Sequence, residues 1–134
     1  MFTLTFWRAG VVFSLLCLAN GPMEAQGPEV QVLATKDLAG NAGQEALMLA
    51  VEYAPGESEP IHRHNAQAFV YVLDGSVVMQ LKGQPPVTLN AGDTFYEGRD
   101  DIHLVGRNAS GTNRARFVVF LVKDKDAAVA VPAQ

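Results

Sequence analysis

The sequence predicts an all-β sandwich or barrel, and three observations carry that expectation. From Glu29 onward, short apolar or alternating runs recur, each about the length of a strand. Gly, Pro, Asn and Asp interrupt these runs at fairly regular spacing, as turns between short strands do. No helical pattern of about 10–15 residues separates them, so a parallel sheet with crossover helices is not expected.

Taken in order, Val30–Ala34 is the first run, and Glu45–Tyr53 is the longest of those that follow directly. The composition of Glu45–Tyr53 would suit a helix, but its terminal alternation and its exit at Pro55-Gly56 favour a strand. Phe69–Leu73, aromatic and β-branched, stops at Asp74-Gly75, and Ser76–Leu81 resumes at once. Asp-Gly between two such runs predicts a hairpin, because a type I′ turn needs positive φ at both central positions. Ser76–Leu81 ends at Lys82-Gly83-Gln84-Pro85-Pro86, and Val87–Leu89 leads into a second turn, Asn90-Ala91-Gly92-Asp93. Thr94–Glu97, Ile102–Val105 and Ala115–Val122 bring the expected strands to eight. From Lys123 the chain is charged and then rich in Ala and Val, with no structure assigned to it.

A chain of 134 residues is one domain's worth, and 49% hydrophobic against 18% charged residues is enough to build a core. The net charge of −4 argues against the basic face that nucleic acid requires and against the polybasic patch that an anionic membrane attracts. One cysteine, Cys17, excludes an internal disulfide framework and a Cys-rich zinc module.

Residues 1–25 read as a secretory signal peptide. Arg8 supplies the cationic lead, Ala9–Ala19 the apolar core, and Ala25 or Ala19 the small residue at the cut. The apolar run is too short to span a bilayer, which takes about 20 residues. An uncleaved anchor or a buried helix is the competing reading. The remaining chain, residues 26–134, has no cysteine, which suits an oxidising compartment. A secreted or periplasmic product is therefore expected.

The three histidines fall in two windows. His62 and His64 flank Arg63, and on a strand residues i and i+2 point to one face. Two imidazoles so placed can hold one divalent ion, and His103, on a later strand, can reach the same point in a small barrel. Solvent-exposed histidines with one core histidine would be the bland alternative.

The neighbouring residues sharpen this. Gly56, His62, His64 and Gly75 stand at the intervals of the first motif of the cupin superfamily, which Gly92-Asp93-Thr94-Phe95-Tyr96-Glu97, His103 and Asn108 continue in a form similar to the second. The resemblance covers about Leu47–Val122, with motif 1 at 56–75, motif 2 at 92–108, and between them the intermotif hairpin of small single-domain cupins. It implies a double-sheet jelly-roll barrel over residues 26–134, with His62, His64 and His103 as ligands of a divalent metal ion: Fe, Mn, Ni, Cu or Zn. It also implies a small-molecule substrate or ligand and a homodimer formed by sheet contacts.

The departures matter for chemistry. The family's glutamate ligand falls at Ala68, which cannot bind metal, and alternation turns the adjacent Gln67 away. Glu97, at the turn before His103, could supply a replacement carboxylate, although no spacing rule requires it. What remains is a three-histidine site with open positions, as some cupin dioxygenases use, and no general base in view. The resemblance then implies a metal-binding cupin acting on a small molecule as a dioxygenase similar to the quercetin-cleaving enzymes. A non-catalytic periplasmic cupin binding a metal or small ligand is the alternative.

Three further features have ordinary readings. Asn108-Ala109-Ser110 matches a glycosylation acceptor by coincidence, and Arg114 and Arg116 are expected to pair with surface carboxylates. Most of Phe69, Tyr71, Phe95, Tyr96, Phe117 and Phe120 are expected in the core or at a sheet interface.

Overall fold

The computed structural model describes residues 27–134, which form antiparallel sheets and no helix. The expected signal peptide lies outside the described residues. Eleven strands follow one another: β1 (Glu29–Asp37), β2 (Gln44–Tyr53), β3 (Ser58–Glu59), β4 (His62–Arg63), β5 (Ala66–Asp74), β6 (Ser76–Leu81), β7 (Val87–Asn90), β8 (Thr94–Glu97), β9 (His103–Asn108), β10 (Ala115–Asp124) and β11 (Val131–Pro132). The eight expected strands are all present, several of them longer than expected. The three additional ones are two-residue ladders, too short to leave a periodic pattern in the sequence.

One sheet runs β1-β2-β10-β5-β8, and the other runs β11-β4-β9-β6-β7, with β3 also pairing to β9. The alternation seen in the sequence is the alternation of burial. In β5, Ala66, Ala68, Val70 and Val72 are buried while Gln67, Phe69, Tyr71 and Leu73 face outward. With Leu47, Leu49, Val51 and Tyr53 of β2 and Phe117, Val119 and Leu121 of β10 they form the core between the sheets. Tyr53 packs edge-on against Phe117, with ring centroids 5.1 Å apart.

The Asp74-Gly75 signal is a corner and not a hairpin. β5 belongs to one sheet and β6 to the other, so the chain changes sheets at this dipeptide. Only Gly75 has positive φ (71°), whereas a type I′ turn would require it of Asp74 as well. Gly75 is needed for a second reason, since a Cβ there would lie 2.6 Å from the carbonyl oxygen of Arg114 at the entry to β10. The intermotif hairpin is real, with β6 and β7 pairing from Ser76↔Asn90 to Met79↔Val87.

The aromatic residues divide differently from expectation. Phe117 is buried and Phe95 packs partly against the core, but Phe69, Tyr71 and Tyr96 lie on the outer face of the first sheet, each about half exposed. Arg114 and Arg116 both reach Glu52 at 3.6 Å, the ordinary surface pairing. Asn108 is buried, its Nδ2 donating to the carbonyls of Tyr53, Ala54 and Asn113, so it is a structural clamp and not an acceptor for glycan.

Candidate metal centre

His62 and His103 are direct partners across the β4–β9 ladder, and Ala68 and Glu97 are direct partners across β5–β8 in the facing sheet. These two pairs meet between the sheets. His64, just beyond β4, turns into the same space, with ring centroids of His62 4.8 Å from His64 and 5.0 Å from His103. The three histidines expected to converge therefore do so.

The Ala68–Glu97 pair accounts for the departure from the family motif. Opposed residues in an antiparallel pair carry Cβ atoms about 4.5–5.5 Å apart on one face. Ala68 is fully buried and short, which leaves space, and the Glu97 side chain, itself 4% exposed, extends into it. Its Oε2 lies 3.5 Å from Nδ1 of His103 and 3.8 Å from Nε2 of His64. The carboxylate absent from β5 is present one strand over.

A second carboxylate, which the sequence reading did not single out, completes the cluster. Glu59 sits on β3 opposite Gly106, and its side chain lies flat over that glycine. A Cβ at residue 106 would come within 2.8 Å of Glu59 Cγ and Cδ, so only glycine leaves the path open. Glu59 Oε1 stands 3.5 Å from His103 Nδ1 and 4.0 Å from His62 Nε2. The expectation of a site with no base in view is thereby corrected. The signal was faint, because Glu59 precedes Pro60 in a two-residue strand and only the pairing to Gly106 aims it inward.

Hydrogen bonds orient the rings. His62 Nδ1 donates to the carbonyl of Pro60 at 2.9 Å, and His64 Nδ1 donates to the carbonyl of Val129 at 2.5 Å. Each bond fixes the proton on Nδ1 and leaves Nε2 as a lone pair. Those two Nε2 atoms face each other at 3.2 Å. Two neutral acceptors at that distance repel, and a cation between them removes the conflict. Nitrogens bound to one ion at about 2.0–2.1 Å would be about 2.8–3.4 Å apart at cis-octahedral to tetrahedral angles.

Burial reinforces this fit. Among the described residues, Glu97 Oε2 and both ring nitrogens of His103 are buried without a hydrogen-bond partner, as is the Tyr53 hydroxyl. Such orphaned groups are costly, and a metal ion satisfies a carboxylate and an imidazole together. Burial, with the Glu59 and Asp101 charges adding to it, pushes the Glu97 carboxyl up to about 8. Burial raises Glu59 as well, while it holds His64 below the usual imidazole range. Burial and the neighbouring His62 lower His103 to about 4. The His64 and His103 imidazoles are thus kept neutral, the form that binds metal. Two overlapping sets have metal-binding spacing, Glu59/His62/His103 and His62/His64/Glu97.

The cluster forms one pole of a cavity of about 340 Å³ whose other walls are apolar, including Leu49, Val51, Val70, Met79, Phe117 and Val119. Among the described residues, no Lys or Arg lines it.

Fold and site together define a small two-sheet β-barrel with a histidine–carboxylate cluster opening on an apolar cavity. The chain belongs to the cupin family: the cupin domain model matches residues 49–121, more than half of the chain. No curated protein matches the sequence significantly. Among solved structures it is similar to the DMSP lyase DddQ of Ruegeria pomeroyi, at 20% identity and a TM-score of 0.67 over 84% of this chain and 55% of that one. A double-stranded β-helix protein of Klebsiella pneumoniae is similar at 18% identity and a TM-score of 0.63, over 82% and 87%. An oxalate oxidase in complex with the substrate analogue glycolate is similar at 25% identity and a TM-score of 0.62, over 90% and 62%. The chain thus spans little more than half of the lyase and under two thirds of the oxidase.

Proposed function

We propose that this protein is a metal-dependent cupin acting on a small chelating molecule with an apolar body. The observation that carries this reading is the pair of Nε2 lone pairs held 3.2 Å apart beside the buried Glu97 carboxyl, whose Oε2 has no hydrogen-bond partner among the described residues. His62, His64, His103 and Glu97 would hold the ion. When bound, it would supply Lewis acidity to a chelating oxygen ligand and, if redox-active, electrons for dioxygen. The apolar walls exclude water and receive the body of the substrate. Because no Lys or Arg among the described residues lines the cavity, a neutral or singly charged chelator fits better than a dianion.

Glu59 takes a different role from Glu97. Its side chain is 19% exposed against 4%, so it is the carboxylate that a cavity ligand meets. At its Oε1 it can accept a proton from the bound chelator and return it. This favours a second reading beside the dioxygenase one, a redox-neutral proton transfer leading to elimination or isomerisation. Oxygen uptake by the metal-loaded protein with an apolar enol or catechol separates the two: consumption matched to product supports the dioxygenase, and product without consumption supports proton transfer. No product from any chelating substrate would contradict both and favour a non-catalytic binder.

The finer expectations stand with this proposal. Residues 1–25 would direct export, so the recovered protein would begin at Gln26, or at Asn20 for the earlier cut; an intact Met1 on exported protein would contradict cleavage. A homodimer would form through the outer face of the five-stranded sheet, where Phe69, Tyr71 and Tyr96 are exposed together.

A further inference from the structure

We infer that the C-terminal segment, residues 127–134, is a strap that positions His64 and caps the cavity, so that access to the cavity and retention of the metal are coupled; this rests on the proposed metal site. Four contacts hold the segment. The Val129 carbonyl accepts the Nδ1 proton of His64, Val131 and Pro132 of β11 pair with Arg63 and His62, the Ala133 amide donates to the Ile61 carbonyl at 3.3 Å, and Lys82 Nζ donates to the Gln134 carbonyl at 3.3 Å. Burial alternates along the segment, and Ala127, Val129, Val131 and Ala133 are the less exposed residues. Val129, Ala130, Val131 and Pro132 line the cavity together with Ile61.

The strap therefore touches both ends of the binding problem. Its side chains form an apolar wall that any ligand must displace or pack against. Its backbone carbonyl is the only hydrogen-bond partner of His64 outside the cluster among the described residues. A neutral carbonyl fixes the imidazole tautomer and aims Nε2 inward without adding charge, the usual duty of an outer-shell partner. When the strap lifts, His64 loses its orientation, and when a metal fixes His64 the strap is held down. This coupling is reciprocal by thermodynamic necessity. Because the contact is a backbone one, side-chain changes at Val129 leave it intact, whereas displacing the strand does not.

Zinc serves as the probe. In the full chain, zinc should slow hydrogen exchange in residues 127–134. Ala133→Pro removes the amide that donates to Ile61, and a chain ending at Asp126 removes the strap. Both should lower zinc affinity by about 10–100-fold, the range for loss of an outer-shell partner, and speed zinc loss to a chelator, while Ala128→Ser, at an exposed position of the strap outside the cavity lining, retains zinc. If both variants melt cooperatively and hold zinc as tightly as the parent, the strap has no positioning role. Should the shortened chain fail to fold, Ala133→Pro decides alone. A full chain that takes up no zinc overturns the metal site itself, whereas intact zinc binding with an uncoupled strap overturns only this inference.

Discussion

Glu97 is the residue on which the chemistry of this site turns. Its Cα is directly opposite that of Ala68, so the two positions can exchange duties across the ladder. Glu97→Ala should lower zinc affinity by more than the about 10–100-fold typical of outer-shell changes. Adding Ala68→Glu to that variant should recover a large part of the loss, as isothermal titration would show; no recovery would mean that the carboxylate position is not shared. The histidines were legible from the two-residue spacing of His62 and His64 on an extended segment together with the cupin-like motif intervals that also take in His103. The carboxylates were less so. Glu97 stood in the sequence as an unforced option and Glu59 without a role, since both depend on which strands pair. The pH dependence follows from the same groups. Glu97 titrates near 8 in the folded chain against an ordinary 4.5, so its contribution to stability is complete below 4.5 and is lost as pH rises through 8. Glu59, also raised by burial, acts with the same sign. His103, held near 4 against 6.5, contributes stability that is present above 6.5 and lost as pH falls through 4. The two effects oppose each other between 4.5 and 6.5, and the carboxyl effect acts unopposed from 6.5 to 8. The thermal midpoint of metal-free protein should therefore fall between pH 6.5 and 8, and zinc should abolish the fall. A flat profile without metal would contradict the protonated carboxyl.

At the scale of elements, the site depends on two glycines that keep backbone and side chain out of one another's way. Gly75 carries the chain between sheets at φ 71°, beneath the Arg114 carbonyl, and Gly106 gives Glu59 its path. Gly75→Ala combines a disfavoured φ with a backbone clash and should cost about 1–3 kcal/mol or more in chemical denaturation. Gly106→Ala should leave the fold standing but displace Glu59, reducing turnover more than zinc affinity. Equal loss of both would place Glu59 among the ligands. The order and type of the long strands were legible, because alternation in β2, β5 and β10 reports burial directly. The Asp74-Gly75 turn was misleading, since a dipeptide suited to a hairpin also suits a corner and only the long-range partner β10 decides between them. The ladders β3, β4 and β11 are too short for any periodicity, yet they hold Glu59 and His62 and bring the Val129 carbonyl to His64.

For the whole molecule, the barrel keeps its reactive groups inside and an aromatic face outside. Phe69 and Tyr96 stack with centroids 5.0 Å apart on that outer face, beside the exposed Tyr71. Apolar surface of this kind favours association. Tyr71→Glu should convert the proposed dimer to monomer in sedimentation without altering zinc binding, because the residue faces away from the cluster; a wild-type monomer would contradict the dimer. The central claim is that His62, His64, His103 and Glu97 hold a divalent ion, and metal content tests it most directly. Elemental analysis would compare untagged protein, purified without added metal, with a His62→Ala/His64→Ala variant that still melts cooperatively. About one equivalent of a divalent transition metal in the parent and none in the variant is the predicted result. A metal-free parent that also fails to bind added zinc, iron, manganese, nickel or copper would contradict it.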